Sequence, residues 1–230
     1  WDMWSDRGKQ MNYEIKGNVV PAVEVSLSRG ESVFTQSGGM FYQSEGIKMD
    51  TNTRGGLFKG IGRMFAGESM FMATYTATQD AKVAFASTVP GSIIPVDVSE
   101  GRFTIQKGAF LAAESSIELR TTFNKKLGTG FFGGEGFILQ ELSGRGMAFL
   151  EVDGDAIEMN LAPGEVLKVD TGNLVGFEDS VRYEVESVKG LGNILFGGEG
   201  LFLTKLTGPG KVILQTMNMN EFALRVGSYI

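Results

Sequence analysis

The sequence contains no cysteine and no histidine. Together these absences remove disulfides, thiol nucleophiles, histidine acid-base chemistry, Ser-His-Asp triads and the usual zinc ligands. Most hydrolase and redox mechanisms are thereby excluded, and we expect a protein with no cofactor and no enzymatic activity. Positive charge is also short: 21 Lys and Arg stand against 27 Asp and Glu, a net charge of −6. The basic residues are scattered, with only Lys125 and Lys126 adjacent. That is the wrong sign and distribution for a surface held to nucleic acid by counterion release, so no nucleic-acid partner is expected. No apolar run approaches the ~18 residues of a spanning helix, and no signal-peptide core is visible, which makes a cytoplasmic protein the expectation.

What the chain does have is 42% hydrophobic residues in 230, enough to build a substantial core, and 33 glycines placed in a pattern. Three alternating segments end at a glycine turn: Val25 to Glu31 around Gly30, Val96 to Arg102 around Gly101, and Met159 to Glu165 around Gly164. After each glycine a second short strand follows, Val33 to Gly38, Phe103 to Gly108 and Val166 to Gly172, and each pair reads as a hairpin. A third alternating stretch follows in every copy, at Ile47 to Thr51, Ile117 to Thr121 and Val181 to Val185, with one face apolar and the other charged.

The clearest signature comes next, a glycine-aromatic loop that leads into an apolar strand. It reads Met64-Phe-Ala-Gly67-Glu68, then Phe131-Phe132-Gly-Gly134-Glu135, then Leu195-Phe196-Gly-Gly198-Glu199. Gly67, Gly134 and Gly198 stand 67 and 64 residues apart, and Gly30, Gly101 and Gly164 stand 71 and 63 apart. Two independent landmarks with nearly one period indicate tandem repeats, each completing its core against its neighbours.

The fold class expected is all-β: three β-sandwich or jelly-roll-like repeats with pseudo-threefold symmetry. Residues 1–10, which carry two tryptophans and no strand pattern, read as a leader or disordered arm. Residues 11–227 read as one domain, with repeats at about 11–80, 81–145 and 146–210 and a closing strand region at 211–227. The chain reads as starting partway through a unit and ending with a surplus strand, so that the termini complement one another and close a ring of three. The only helix expected is a short one at Leu57 to Phe65, weakened by Gly60 and Gly62.

Gly128-Thr-Gly130-Phe-Phe-Gly133 fits a dinucleotide-binding string, but a strand rather than a helix is expected after it at Phe137 to Leu142, so no nucleotide site is read there. Asp153-Gly154-Asp155 reads as a hairpin turn rather than a calcium loop, because the further ligands are missing. No catalytic residue is assigned. The loop apolar residues Phe58, Phe65, Phe131, Phe132, Leu195 and Phe196 are candidates for a partner or membrane surface, or for a plug where the units meet. Glu68, Glu135 and Glu199 would approach one axis in a threefold arrangement, where carboxylates can hold a hard cation, the alternative reading being a metal- or small-molecule-dependent β-barrel enzyme that uses them as acidic ligands, or simply cap their own glycine turns. The partners expected are a protein or a second copy of this chain, with peripheral membrane contact as a further option.

Tyr13-Glu-Ile-Lys-Gly17, Arg63-Met-Phe-Ala-Gly-Glu-Ser69 and the two Phe-Gly-Gly-Glu-Gly loops resemble a family of uncharacterised proteins named for altered inheritance of mitochondria. The resemblance runs from about Tyr13 to Val226. It implies a fold like that of the tryptophan RNA-binding attenuation protein, with the β unit repeated three times, and it implies no activity and no established site. RNA binding follows from it only by analogy of fold, against the acidic charge.

Overall fold

The structure is a computed structural model that describes residues 11–36, 39–51, 72–125, 137–188 and 201–228. It is almost entirely antiparallel β. After β1 (Asn12–Lys16) come β2 (Ala22–Leu27), β3 (Ser32–Gln36), β4 (Met40–Gln43), β5 (Ile47–Asp50), β6 (Met72–Ala77) and β7 (Ala81–Ala86). The next set is β8 (Gly91–Asp97), β9 (Phe103–Gln106), β10 (Phe110–Glu114), β11 (Ile117–Lys125), β12 (Phe137–Gly144) and β13 (Met147–Asp153). The last is β14 (Ala156–Leu161), β15 (Val166–Asp170), β16 (Leu174–Glu178), β17 (Arg182–Val188), β18 (Leu201–Thr207) and β19 (Gly210–Gln215), followed by a helix, α1 (Met219–Gly227).

Four sheets result, ordered β1-β2-β7-β4 (sheet A), β5-β6-β3-β10-β13-β8 (sheet B), β11-β12-β9-β16-β19-β14 (sheet C) and β15-β18-β17 (sheet D). The pairing has a rule. In each set of six strands the first, third and sixth pair together in one sheet, and the second, fourth and fifth pair together in the next. Each set is thus a sandwich, and the two inner sheets are each built half from one set and half from the following one. The joins are β3 with β10, which aligns Thr35 with Ala112, and β9 with β16, which aligns Ile105 with Gly176. In all three sets the third strand meets the sixth with a register shift at one place, between Met40 and Tyr42, Phe110 and Ala112, and Leu174 and Gly176.

Three apolar cores fill the three gaps between sheets. Val23, Val25, Leu27, Val33, Val83 and Phe85 pack between sheets A and B. Phe103, Ile105, Phe110, Leu150 and Ile213 pack between B and C, and Phe137, Leu139, Leu174, Phe177 and Leu206 between C and D. Phe34 on β3 stacks on Phe110 on β10 with ring centroids 5.3 Å apart, so the first join is cemented by an aromatic pair as well as by backbone bonds.

Several sequence expectations are corrected. The glycine turns at Gly30, Gly101 and Gly164 do not make hairpins, because β2 and β3, β8 and β9, and β14 and β15 lie in different sheets. They are arches, in which consecutive strands face each other across a core and share side-chain contacts, as Leu27 and Val33 do. Gly30 and Gly164 take φ of 90° and 77°, a left-handed conformation that glycine adopts without steric cost. Asp153-Gly154-Asp155 is likewise no hairpin: β13 belongs to sheet B and β14 to sheet C, and Gly154, at φ 72°, steps the chain between them.

The region 211–227 is not a closing strand throughout. β19 ends at Gln215 and residues 219–227 are helical, with the Asn218 side-chain oxygen accepting from the Glu221 amide at 3.4 Å, Glu221 in the first turn and Arg225 in the last. Nor do the chain ends complement one another among the described residues, where β1 pairs with β2 alone and β19 lies between β14 and β16. The helix expected at Leu57 to Phe65 lies outside the described residues.

Candidate functional site

Three connections occupy one place in the pairing rule, the turn between the fourth and fifth strands of each set. The last paired residues before them are Asp50 with Thr74, Lys125 with Phe137, and Val188 with Leu201. All the sequence-predicted site residues fall inside them: Phe58, Phe65 and Glu68 in the first, Phe131, Phe132 and Glu135 in the second, Leu195, Phe196 and Glu199 in the third. These residues lie outside the described residues, as does the Gly128 to Gly133 string. The strand expected to follow that string is present as β12. The topology therefore gives the three loops equivalent origins, each flanked by an edge strand, β5, β11 or β17.

Among the described residues, a cleft of about 670 Å³ opens where the first set meets the turn between β10 and β11. Its wall is mixed: Met11, Leu27 and Ala81 line it beside several serines, and its charged groups are Glu31, Asp80, Glu114 and Lys82. Most of these groups are already engaged with backbone. Glu31 accepts from the Ser28 amide at 2.7 Å, Glu114 accepts from the Met147 amide at 3.1 Å, and the Ser116 hydroxyl donates to the Arg145 carbonyl at 2.6 Å. Burial pushes the Glu114 carboxyl above the usual carboxylate range, a tendency the Met147 amide opposes and the Asp97 and Glu31 charges reinforce. No three His, Cys, Asp or Glu side chains among the described residues stand close enough to hold a metal ion. The cleft offers hydrogen bonds and negative charge, with the Ser116 hydroxyl beside the Glu114 carboxylate.

Two features were not read from the sequence. Glu31 and Glu165 clasp the arches: the Ser28 and Ala162 amides each donate to the glutamate three residues on at 2.7 Å, while the glutamate amide donates back to the Ser28 or Ala162 carbonyl at 2.9 and 3.0 Å. The signal was available as Gly-Glu at both turns, with Arg102 replacing glutamate at the third and reaching Asp179 at 2.8 Å instead. The other is Glu24, on the outer face of sheet A. It accepts from Lys82 at 2.7 Å and from the Tyr42 hydroxyl, and pairs with Lys16 at 3.0 Å. These donors hold its carboxyl down at about 2. A lone charged residue between Val23 and Val25 gave no hint of partners on three other strands.

The comparisons with known proteins agree with this architecture. The profile of the mitochondrial biogenesis AIM24 family matches residues 13–217. An uncharacterised protein of Streptococcus pyogenes is 30% identical over 218 residues, covering 91% of this chain and 87% of that protein. A crystal structure of a Streptococcus pyogenes protein, solved by a structural genomics consortium, is similar with a TM-score of 0.79 at 28% identity, covering 96% of this chain and 100% of its own. From β1 to the end of β19, then, the chain belongs to the mitochondrial biogenesis AIM24 family.

Proposed function

We propose that the protein is a non-enzymatic binding or scaffold protein that contacts a protein partner or a membrane surface through its three glycine-aromatic loops. The observation that supports this reading is the equivalence of the loop origins: the same turn of the same pairing rule carries the same Gly-Glu sequence three times. A stack of rigid sandwiches that repeats one apolar loop is a multivalent presenter, in which weak contacts add through effective concentration. The three sets of strands are taken as copies of one unit. A pseudo-threefold arrangement like that of the tryptophan RNA-binding attenuation protein would need a third join, β15 with β4, and the described residues do not form it. The proposal therefore treats the units as a row. A cytoplasmic setting belongs to the same proposal; among the described residues no helix is long and apolar enough to cross a membrane.

Liposome flotation and a pull-down with the Phe131→Ser, Phe132→Ser double variant test it. The reading predicts that wild type floats with vesicles or retains a partner and that the variant does so at least about tenfold less well. Equal behaviour of the two proteins would remove the loops from the function.

A further inference from the structure

The pairing rule leaves two halves over. Each inner sheet joins the second, fourth and fifth strands of one unit to the first, third and sixth of the next, and the meeting strands are a second and a third: β3 with β10, β9 with β16. Among the described residues, sheet A carries the first, third and sixth strands of unit one with no such partner and ends at β4, and sheet D carries the second, fourth and fifth strands of unit three with none and ends at β15. The two remaining edges are thus the same two kinds of strand that the chain already joins twice.

The β4 edge has the surface of an unfinished join. Its counterparts are buried: Phe110 is 5% exposed, Leu111 3%, and Leu174 and Val175 0%. The corresponding residues of β4, Met40, Phe41 and Tyr42, are 38%, 64% and 38% exposed. On β15, Val166 is 49% exposed; it stands in the place of Ser32 on β3, with Leu167 and Lys168 in those of the buried Val33 and Phe34. Sheet edges are ordinarily guarded by charge or proline, and the other edge strands follow this. β1 carries Glu14 and Lys16, β5 Lys48, β8 Pro95, β11 Arg120, β14 Glu158 and β17 Glu184, while the one charged residue in the middle of β15, Lys168, is already paired with Glu186 at 2.7 Å. Met40-Phe-Tyr-Gln43 has neither charge nor proline.

We propose that β4 is the docking edge for β15 of a second copy of this chain, so that sheets D and A of neighbouring copies fuse into one continuous sheet, β17-β18-β15-β4-β7-β2-β1, repeating between molecules the join made twice within each. The contact is head-to-tail, so one copy offers a donor edge at its third unit and an acceptor edge at its first. Such an interface propagates into a closed ring or a filament rather than stopping at a symmetric dimer. This assembly does not depend on the glycine-aromatic loops, which belong to a different turn of each unit.

Because the interface is heterologous, blocking either edge stops propagation while leaving the other competent. Analytical ultracentrifugation of wild type is expected to show assemblies of at least twice the monomer mass that grow with concentration. Phe41→Lys, on β4, and Val166→Lys, on β15, are each expected to sediment as monomers. Mixed together they are expected to form a one-to-one dimer that does not grow, since one supplies an intact β15 and the other an intact β4. Circular dichroism melts establish that each variant is folded, and Phe41→Ser with Val166→Ser carry the same comparison if a lysine variant is not. A wild type that stays monomeric at all concentrations, single variants that assemble as wild type does, or a mixture that stays monomeric would each overturn the proposal.

Discussion

The Tyr42 hydroxyl on β4 donates to the Glu24 carboxylate on β2, reaching across β7, which lies between the two strands. Lys82 on β7 and Lys16 on β1 meet the same carboxylate, so all four strands of sheet A are tied at one anion. Glu24 is shielded by the side chains that reach over it rather than by depth, which is why its hydrogen bonds, and not burial, set its proton affinity.

The acid limb of the stability curve should carry this signature. A carboxyl whose folded pKa of about 2 lies below its ordinary 4.5 contributes stability that is full above about 4.5 and is lost as pH falls toward 2. Urea titrations of Glu24→Gln from pH 7 down to pH 2 are expected to show a variant less stable than wild type at pH 7, with the difference narrowing across that window. A gap that is constant with pH would refute the ion network as its source.

Asp153 should behave in the opposite sense. Burial, aided by the nearby Glu151 charge, pushes its carboxyl from 3.8 up to about 6, so the folded protein binds that proton more tightly than the unfolded chain does. Stability then falls as pH rises through this range, and the penalty is complete above about 6. Asp153→Asn is expected to match wild type near pH 4 and to exceed it at pH 7 and above. The gain is about 1 kcal/mol once solvent screening of a partly exposed group is allowed for. Thermal melts at the two pH values decide it.

Close backbone approach gives a third test. A Cβ built on Gly91, opposite Asp153 at the end of β8, would lie 1.9 Å from the Val152 carbonyl oxygen, which backbone pairing prevents from moving aside. At Gly101 an added Cβ meets nothing within 4 Å. Gly91→Ala should therefore cost about 2–3 kcal/mol, whereas Gly101→Ala should stay within about 0.5 kcal/mol of wild type. Denaturant midpoints for the pair measure the contrast.

Strand positions were legible in the sequence because the side-chain period of two is a local property. Val25 and Leu27 announce a buried face on β2, as Ile117 and Leu119 do on β11, and both are buried. The same alternation misled at the next level. It reports that one face is covered but not whether the next strand lies beside or opposite, so Gly30 and Gly164 read as hairpins and are arches. Met49 continued the apolar pattern of β5 yet is 51% exposed, because β5 is an edge strand.

The C-terminal helix was hidden for a related reason. Phe222, Leu224 and Val226 alternate as in a strand, and none is buried, so no packed face imposed a helical period on the sequence. The candidate site was legible as a repeated word but not as a place. Its origins follow from long-range pairings, such as Lys125 with Phe137 within one unit and Ile105 with Gly176 between two, that no local pattern encodes.

Sharing each interior layer between successive modules also bears on how such a protein can change its length. Excising or duplicating a whole module brings together the two kinds of border that already mate, whereas a cut inside a module strands a lone half-layer. Growth by entire copies thus requires no new kind of contact to be invented.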